Sequence, residues 1–263
     1  MITFHYLGYR GRLGNQMFQY ATLFSIAKRN NYSYGIPYKN KNNSDEYQKL
    51  NLLDCFENIS AQDCQSILPK KQIQEIDNNF NSAFLNIEDD LDLFGYFQSE
   101  KYFKKYKTEI LHEFTFKKDI KEKILKLKKQ IKNPIASVHM RFGDYELFPN
   151  VYPRCTQDYY YNALSLFPKN IDIILFSDNL EKASSLMEKT KKRFYIFPGL
   201  SNFEDLYFMS LCDYHVIANS SFSWWGAWLS NSKKTVAPKT WYGLDPNAPK
   251  SWNDIYCEGW EII

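Results

Sequence analysis

Residues 138–145 read Val138-His139-Met140-Arg141-Phe142-Gly143-Asp144-Tyr145, so an imidazole, a guanidinium and a carboxylate fall within six residues, directly after the apolar run Ile135-Ala136-Ser137. An apolar strand that ends in His-x-Arg-x-Gly-Asp has the form of a strand leaving a buried sheet. A glycine then lets the backbone turn, and the polar side chains face a crevice. Arg141 suits a diphosphate, because a guanidinium offers donors in a fixed fork and stays charged; an ion pair with Asp144 is compatible with that role. Asp144 or Glu146 could act as general base toward a sugar hydroxyl, or Asp144 could simply orient Arg141. His139, at a strand end, is read as a packed or substrate-positioning group rather than a proton carrier.

Two other polar clusters fall where further strands should end: Ser177-Asp178-Asn179 and Asn219-Ser220-Ser221-Phe222-Ser223. Asp178 could accept from a ribose or sugar hydroxyl, or cap the next helix. Asn219, Ser220 and Ser221 precede a helix, where a serine caps and the free N–H groups make an anion cradle. Trp224, Trp225 and Trp228 lie on that helix and are read as core. A third strand-to-helix turn, Gly8 to Gln16, has its glycines as G-x-x-G-x-x-G. That is neither the dinucleotide fingerprint nor a P-loop, so an NAD enzyme is disfavoured. Asn15 is the natural N-cap there. Asp90-Leu91-Asp92 has the D-x-D form of a metal pair, but it continues the acidic run Glu88-Asp89-Asp90 and reads as a solvated turn.

The elements that must position these groups follow from hydrophobic pattern. A strand over 2–7 leads into a helix over 17–29, after which residues 33–93 are Asn-rich and irregular. A helix over 119–131 ends at Asn133-Pro134, where the domain boundary is placed, giving domains 1–133 and 134–263. Beyond it, strands at 135–139, 171–176, 194–197, 214–218 and 235–238 alternate with helices at 156–167, 180–190, 203–212 and 222–230. This α/β alternation predicts a doubly wound parallel sheet with its ligand outside the carboxyl ends of the strands.

Composition narrows the class. The chain has 263 residues, a net charge of +3 from 33 basic and 30 acidic residues, and 17% aromatics, a balance that argues against non-specific nucleic-acid binding. Five widely spaced cysteines offer no zinc spacing and read as reduced thiols. No apolar run spans a bilayer, so a cytoplasmic protein with at most peripheral membrane contact is expected.

Gly11-Arg12-Leu13-Gly14-Asn15-Gln16-Met17-Phe18-Gln19-Tyr20-Ala21, the GYFQSEKYF segment at 95–103, the 139–144 segment and the ANSSFSWWGAWL core within 211–229 occur in one order along most of the chain. Together they resemble the α-1,2-fucosyltransferases of glycosyltransferase family eleven. The resemblance implies a GT-B fold of two Rossmann-like domains, with GDP-fucose held mainly by the C-terminal one and the acceptor meeting it in the interdomain cleft. It also implies a metal-independent, inverting transfer that needs no cofactor, from GDP-fucose to the 2-hydroxyl of a terminal β-galactoside of a glycan. Carried over by motif, Arg141 binds the donor diphosphate and His139 and Asp144 complete its motif. Asn219, Ser220, Ser221 and Phe222 approach the nucleotide with Asp178 beside them, while Arg12 and Asn15 face the donor. Phe142 stands where the family usually has a second arginine. The alternatives are a transferase of another GDP-sugar and a non-catalytic glycan- or nucleotide-binding protein.

Overall fold

The computed structural model describes every residue except Arg10, 39–48, Lys70, Lys191 and Asn247, so Arg10 of the glycine-rich turn lies outside the described residues. The chain divides into two compact units, Met1–Lys117 with Pro249–Cys257, and Lys118–Ala248 with Glu258–Ile263.

The first unit is built on a five-stranded parallel sheet of β1 (Ile2–Thr3), β2 (Tyr34–Ile36), β3 (Gln62–Asp63), β4 (Lys71–Gln74) and β5 (Leu91–Phe94) in the order β3-β2-β1-β5-β4. Four of these strands lie in or next to the stretch that looked irregular. At two to four residues each, a strand places at most two side chains on a face, too few to print a period. The edge strand β4 is Lys-Gln-Ile-Gln, polar as an exposed edge requires. Helix α1 (Leu13–Asn30) is buried over nearly its whole length, and the shorter α2 (Leu52–Cys55) and α3 (Lys107–Glu113) follow. The reading of Asn15 as N-cap is corrected. Gly11 turns the chain at φ +86, Arg12 occupies the cap position without a side-chain cap bond, and Asn15 is the third helical residue. The returning segment Pro249–Cys257 is tied in by Asp254, which accepts from Phe80 N at 2.9 Å and pairs with Lys101.

The second unit contains α4 (Lys118–Lys128), β6 (Ile135–Met140), α5 (Gly143–Leu147), α6 (Gln157–Ser165), β7 (Asp172–Ser177), α7 (Leu180–Glu188), β8 (Phe194–Tyr195), α8 (Asn202–Ser210), β9 (Tyr214–Val216), α9 (Ser221–Trp228), β10 (Lys234–Ala237) and β11 (Glu261–Ile262). Its parallel sheet runs β11-β10-β9-β6-β7-β8, doubly wound as the alternation predicts. Strand alternation sorts the core. Ala136, Val138, Met140, Ile173 and Leu175 pack with Tyr160, Ala163 and Leu164 of α6 and Ala183 and Met187 of α7. Ile135, Ile174 and Phe176 pack on the other face with Ile124 of α4 and Phe208 and Met209 of α8.

That second cluster shifts the boundary. Helix α4 covers the sheet of the second unit, with Ile124 fully buried and Lys123 paired with Glu204, so the division falls at 117/118 and not at 133/134. Asn133-Pro134 ends a helix without ending a domain. Trp224 and Trp225 are fully buried and Trp228 nearly so, as read, and Trp260 of the C-terminal segment packs against Trp224 at 5.6 Å. Among the described residues no helix is long and apolar enough to cross a membrane.

Helices α8 and α9 pack closely at Gly226, where a Cβ would lie 2.8 Å from Met209 Cβ and 2.9 Å from its sulfur. Gly226→Ala is expected to lower stability by about 1–3 kcal/mol. Adding Met209→Ala, which removes the sulfur and Cγ but keeps the Cβ, should recover part of that loss in a double-mutant cycle of denaturant midpoints, whereas full additivity would remove the sulfur contact as a cause.

Candidate functional site

In the second sheet the strand sequence reverses direction between β6 and β9, and such a switch point leaves a crevice at the carboxyl ends. The three polar clusters occupy it. Arg141 leaves β6 with its side chain 16% exposed, held on two sides. Its Nε and Nη2 donate to Asp144 Oδ1 at 3.1 and 2.5 Å, and its Nη1 lies 3.1 Å from Asp178 Oδ2. The guanidinium carbon stands 5.8 Å from the centre of the Tyr145 ring. Burial works against the charge, but the two carboxylates more than offset it and raise the pKa of Arg141. The pairing with Asp144 read from sequence is therefore present, with Asp178 as a second partner.

Asp178 does more than pair. Its Oδ1 accepts the N–H of Phe142 at 2.9 Å, so one carboxylate after β7 fixes the backbone after β6. This approach requires Gly143, since a Cβ there would lie 2.6 Å from Asp178 Oδ2. The cap of α7 belongs instead to Asn179, which accepts from Lys182 N at 3.0 Å. Short helix α5, absent from the sequence reading because it has only five residues, brings Asp144 back beneath Arg141 and carries Glu146 outward. Glu146 Oε1 accepts from Arg154 at 2.9 Å and Oε2 from Lys182 at 2.7 Å. The bond to Lys182 leads in lowering its pKa. Phe142 is buried in the sheet cluster, with Arg154 and Lys182 each 6.0 Å from its ring.

His139 is 5% exposed, its ring 5.8 Å from that of Phe222, and its Nδ1 is buried without a hydrogen-bond partner. Burial first, and the Arg141 charge second, depress its pKa to about 3, so the ring is neutral and suited to packing or to holding a ligand group. Asn219 is spent on the fold. Its Nδ2 donates to Pro153 O at 2.9 Å and Trp241 O at 2.8 Å, its Oδ1 accepts from Cys155, and its own carbonyl accepts from Tyr145. Ser220 caps α9 by accepting from Phe222 N at 3.4 Å, which leaves Ser221 and Phe222 as the first, half-buried helical residues.

One residue escaped the sequence reading. Asp205 on α8 lines a cavity of about 60 Å³ with Phe176, Ser177, Leu180, Phe197 and Leu200, and no described residue hydrogen-bonds its carboxylate. Burial, followed by the charge of Glu204, pushes its carboxyl up to about 7. Asp205 precedes the buried Phe208 and Met209 by three and four residues, so it stands on the inward stripe of its helix. An acid on such a stripe is the signal that the sequence offered.

In the first unit Asn15 Oδ1 accepts from Gln98 Nε2 at 2.8 Å, and the exposed Arg12 sits at the helix start. Gln16 closes the turn, donating to Gly11 O at 3.1 Å and Lys49 O at 2.8 Å. The D-x-D segment is not a pair of ligands. Asp92 is buried and accepts from Thr3, His5 and Gln72, so the solvated-turn reading fails for it. Among the described residues no group of three His, Cys, Asp or Glu could hold a metal ion.

The sequence pattern of Glycosyl transferase family 11 matches residues 3–263. An alpha-1,2-colitosyltransferase of Escherichia coli is 29% identical, the match covering 92% of this chain and 95% of that one. A galactoside alpha-(1,2)-fucosyltransferase 2 of Bos taurus is 24% identical over 85% of this chain and 68% of its own. Among solved structures, the NodZ alpha-1,6-fucosyltransferase soaked with GDP-fucose superposes with a TM-score of 0.57 at 14% identity, covering 95% of this chain and 96% of that one. These neighbours establish the GT-B fold.

Buried His215, with its ring nitrogens on Ser137 and Ser230, has its pKa depressed to about 3 like that of His139. Unfolded histidines protonate near 6.5. Below that pH the unfolded chain binds protons that these two rings refuse, so both contribute a loss of stability as pH falls from about 6.5 toward 3. Imidazole NMR signals of the two are expected to stay in the neutral form down to pH 5. Titration of the His139 signal near 6.5 would show that its ring is not enclosed.

Proposed function

Because the chain belongs to glycosyl transferase family 11, we propose that it transfers L-fucose from GDP-fucose to the 2-hydroxyl of a terminal β-galactoside of a glycan, inverting the anomeric carbon without a metal ion. The observation that carries this reading is the Arg141 guanidinium, fixed between Asp144 and Asp178 at the switch point of the second sheet. The names of the colitosyltransferase and the bovine fucosyltransferase supply the α-1,2 linkage, and the GDP-fucose soaked into NodZ supplies the donor.

The groups suit the donor piece by piece. Guanine presents N1–H and an amino group on one edge, and the Asp205 carboxylate is the complementary acceptor, with Phe176, Phe197 and Leu200 for the apolar faces. The ring of His139, with one nitrogen unpartnered, faces Phe222 nearby. Arg141 and the first N–H groups of α9 receive the diphosphate. As the bond from fucose C1 to the β-phosphate oxygen breaks, its electron pair moves onto the diphosphate, and these donors stabilise the leaving group electrostatically.

Charge arithmetic assigns the base. Arg141 with two ionised partners sums to −1, so repulsion grows as the diphosphate gains charge in the transition state, and a carboxylate that takes up the acceptor's proton in that same step relieves it. Asp144 fits that part. Both of its bonds from Arg141 end on Oδ1, and its side chain is 31% exposed, so Oδ2 remains open to take the proton of the attacking hydroxyl. Glu146 has both oxygens occupied by Lys182 and Arg154. A second reading, transfer from GDP-colitose, is favoured by the 29% identical colitosyltransferase. We place the reaction in the cytoplasm, where five unpaired cysteines suit a reducing medium.

Incubation with GDP-fucose, lactose and EDTA should release GDP and form an α-1,2 linkage; no turnover with any β-galactoside would overturn the proposal, and preference for GDP-colitose in competition would select the second reading. Arg141→Lys should lower kcat/KM by about 100-fold or more, because an ammonium lacks the planar fork. Asp144→Asn is expected to cut kcat well below the effect of Glu146→Gln, and the reverse order would move the base to Glu146. Asp205→Asn should weaken GDP binding, measured by calorimetry, by about 10-fold or more.

A further inference from the structure

The carboxyl ends of β4 and β5 meet at an arrangement that the site described so far does not use. Glu75, one residue beyond β4, bonds through its N–H to Phe94 O at 2.8 Å and turns its carboxylate under the segment that follows β5. There Oε2 accepts the backbone N–H groups of Tyr96 at 2.7 Å and Phe97 at 2.9 Å, while Oε1 is buried with no hydrogen-bond partner. The approach depends on Gly95, at φ +155, since a Cβ there would lie 2.5 Å from Glu75 Cβ and 2.7 Å from Oε2. Gln19 holds the carbonyl of Gly95 from α1 at 3.0 Å.

Two residues after Gly95, Phe97 is not glycine yet has φ +52, a left-handed conformation that costs an L-residue energy unless its surroundings impose it. Its ring is fully buried against Phe4, Phe84 and Tyr102 at 6.0, 5.2 and 5.4 Å. With its N–H groups held by Glu75 and its ring held by the core, the turn has one orientation. That orientation delivers Gln98, whose Nε2 reaches Asn15 Oδ1 at 2.8 Å. The bond engages the oxygen of the Asn15 amide and so sets the orientation of the group, with its nitrogen over Gly11 of the glycine-rich turn.

We propose that Glu75 is a positioning residue for the substrate-facing amide of Asn15, acting through the two N–H groups it holds and the side chain of Gln98. The inference rests on the assignment of Asn15 to substrate contact. It also explains why a carboxylate occupies an unfavourable place. Burial raises its pKa, the two N–H bonds lower it and Asp77 raises it again, to about 7 in all. Among the described residues, Asp77 on its own segment and the Tyr102 phenol, which is in electrostatic contact with it, are the titratable groups that face it; Gly95 and Phe97, packed against it, are neutral. As pH falls through 7 the carboxylate gains a proton. On Oε2 that proton displaces the backbone donors, and on Oε1 it meets no acceptor. Acid therefore loosens the turn and with it the orientation of Asn15.

The test is the pH dependence of kcat and KM from pH 5.5 to 9 for the full-length protein and for Glu75→Ala, Glu75→Gln and Asn15→Ala, with GDP-fucose and lactose. Asn15→Ala should lower kcat/KM by about 10-fold or more at every pH. Glu75→Ala should fall by about the same factor at pH 8. The amide of Glu75→Gln can still accept both N–H groups with its oxygen but sets an NH2 where Oε1 meets no acceptor, as the protonated acid does, so this variant should hold at every pH near the activity the parent shows below pH 7 and lack the parent's decline. Parent-like kcat/KM in Glu75→Ala beside an impaired Asn15→Ala would overturn the role of Glu75. Parent-like activity in Asn15→Ala would overturn the assignment of Asn15 and this inference with it, while leaving the donor reading through Arg141 intact. Should Glu75→Ala not fold, an acid decline in Glu75→Gln equal to the parent's would sink the proposal on its own.

Discussion

Asp178 is the tie on which the crevice of the second unit depends. A parallel sheet delivers its strand ends side by side, but the loops that leave them have no ladder to hold them. Asp178 supplies the missing bond, receiving the Phe142 N–H with one oxygen and facing Arg141 with the other. The same carboxylate thus sets the backbone path after β6 and the direction of the cation that leaves it. Gly143 is the steric condition for this, because a Cβ there would lie 2.6 Å from the Asp178 oxygen that faces Arg141.

Around that tie the fold separates charged groups from neutral ones. Arg141 is kept ionised by two carboxylates, His139 beside it is kept neutral by burial, and Asp205 is held near the midpoint of its titration by enclosure. A nucleoside diphosphate asks for this division: donors for its phosphates, and a slot of low polarity with an acceptor for its base. The neutral imidazole matters here, since a second cation would be solvated poorly in the same enclosure.

How far the sequence disclosed this can be seen residue by residue. Strands β6, β7 and β9 were legible because each is an apolar run followed by a polar cluster, and those clusters converge as their positions imply. The first sheet was not legible, since strands of two to four residues carry no period and depend on their neighbours for pairing. Asn219 looked like a ligand group because an amide at a strand end can serve either a ligand or the backbone, and only tertiary structure shows that Pro153 and Trp241 claim it. Asp205 was hidden by its neighbours: Ser201 and Glu204 form a capping box, which explains an acidic pair at a helix start without asking which way the second acid points.

The path of the last residues bears on how the molecule is made. Segment 249–257 belongs to the first unit, and the chain then returns to pair β11 with β10 in the second. Neither unit is therefore complete until synthesis has reached residue 257 or beyond. On the ribosome the first 117 residues must wait, lacking the residue that ties down Phe80 and Lys101, until Asp254 emerges more than a hundred residues later. Two units of nearly independent core are in this way obliged to finish folding together, and no single cut in the chain yields either of them whole.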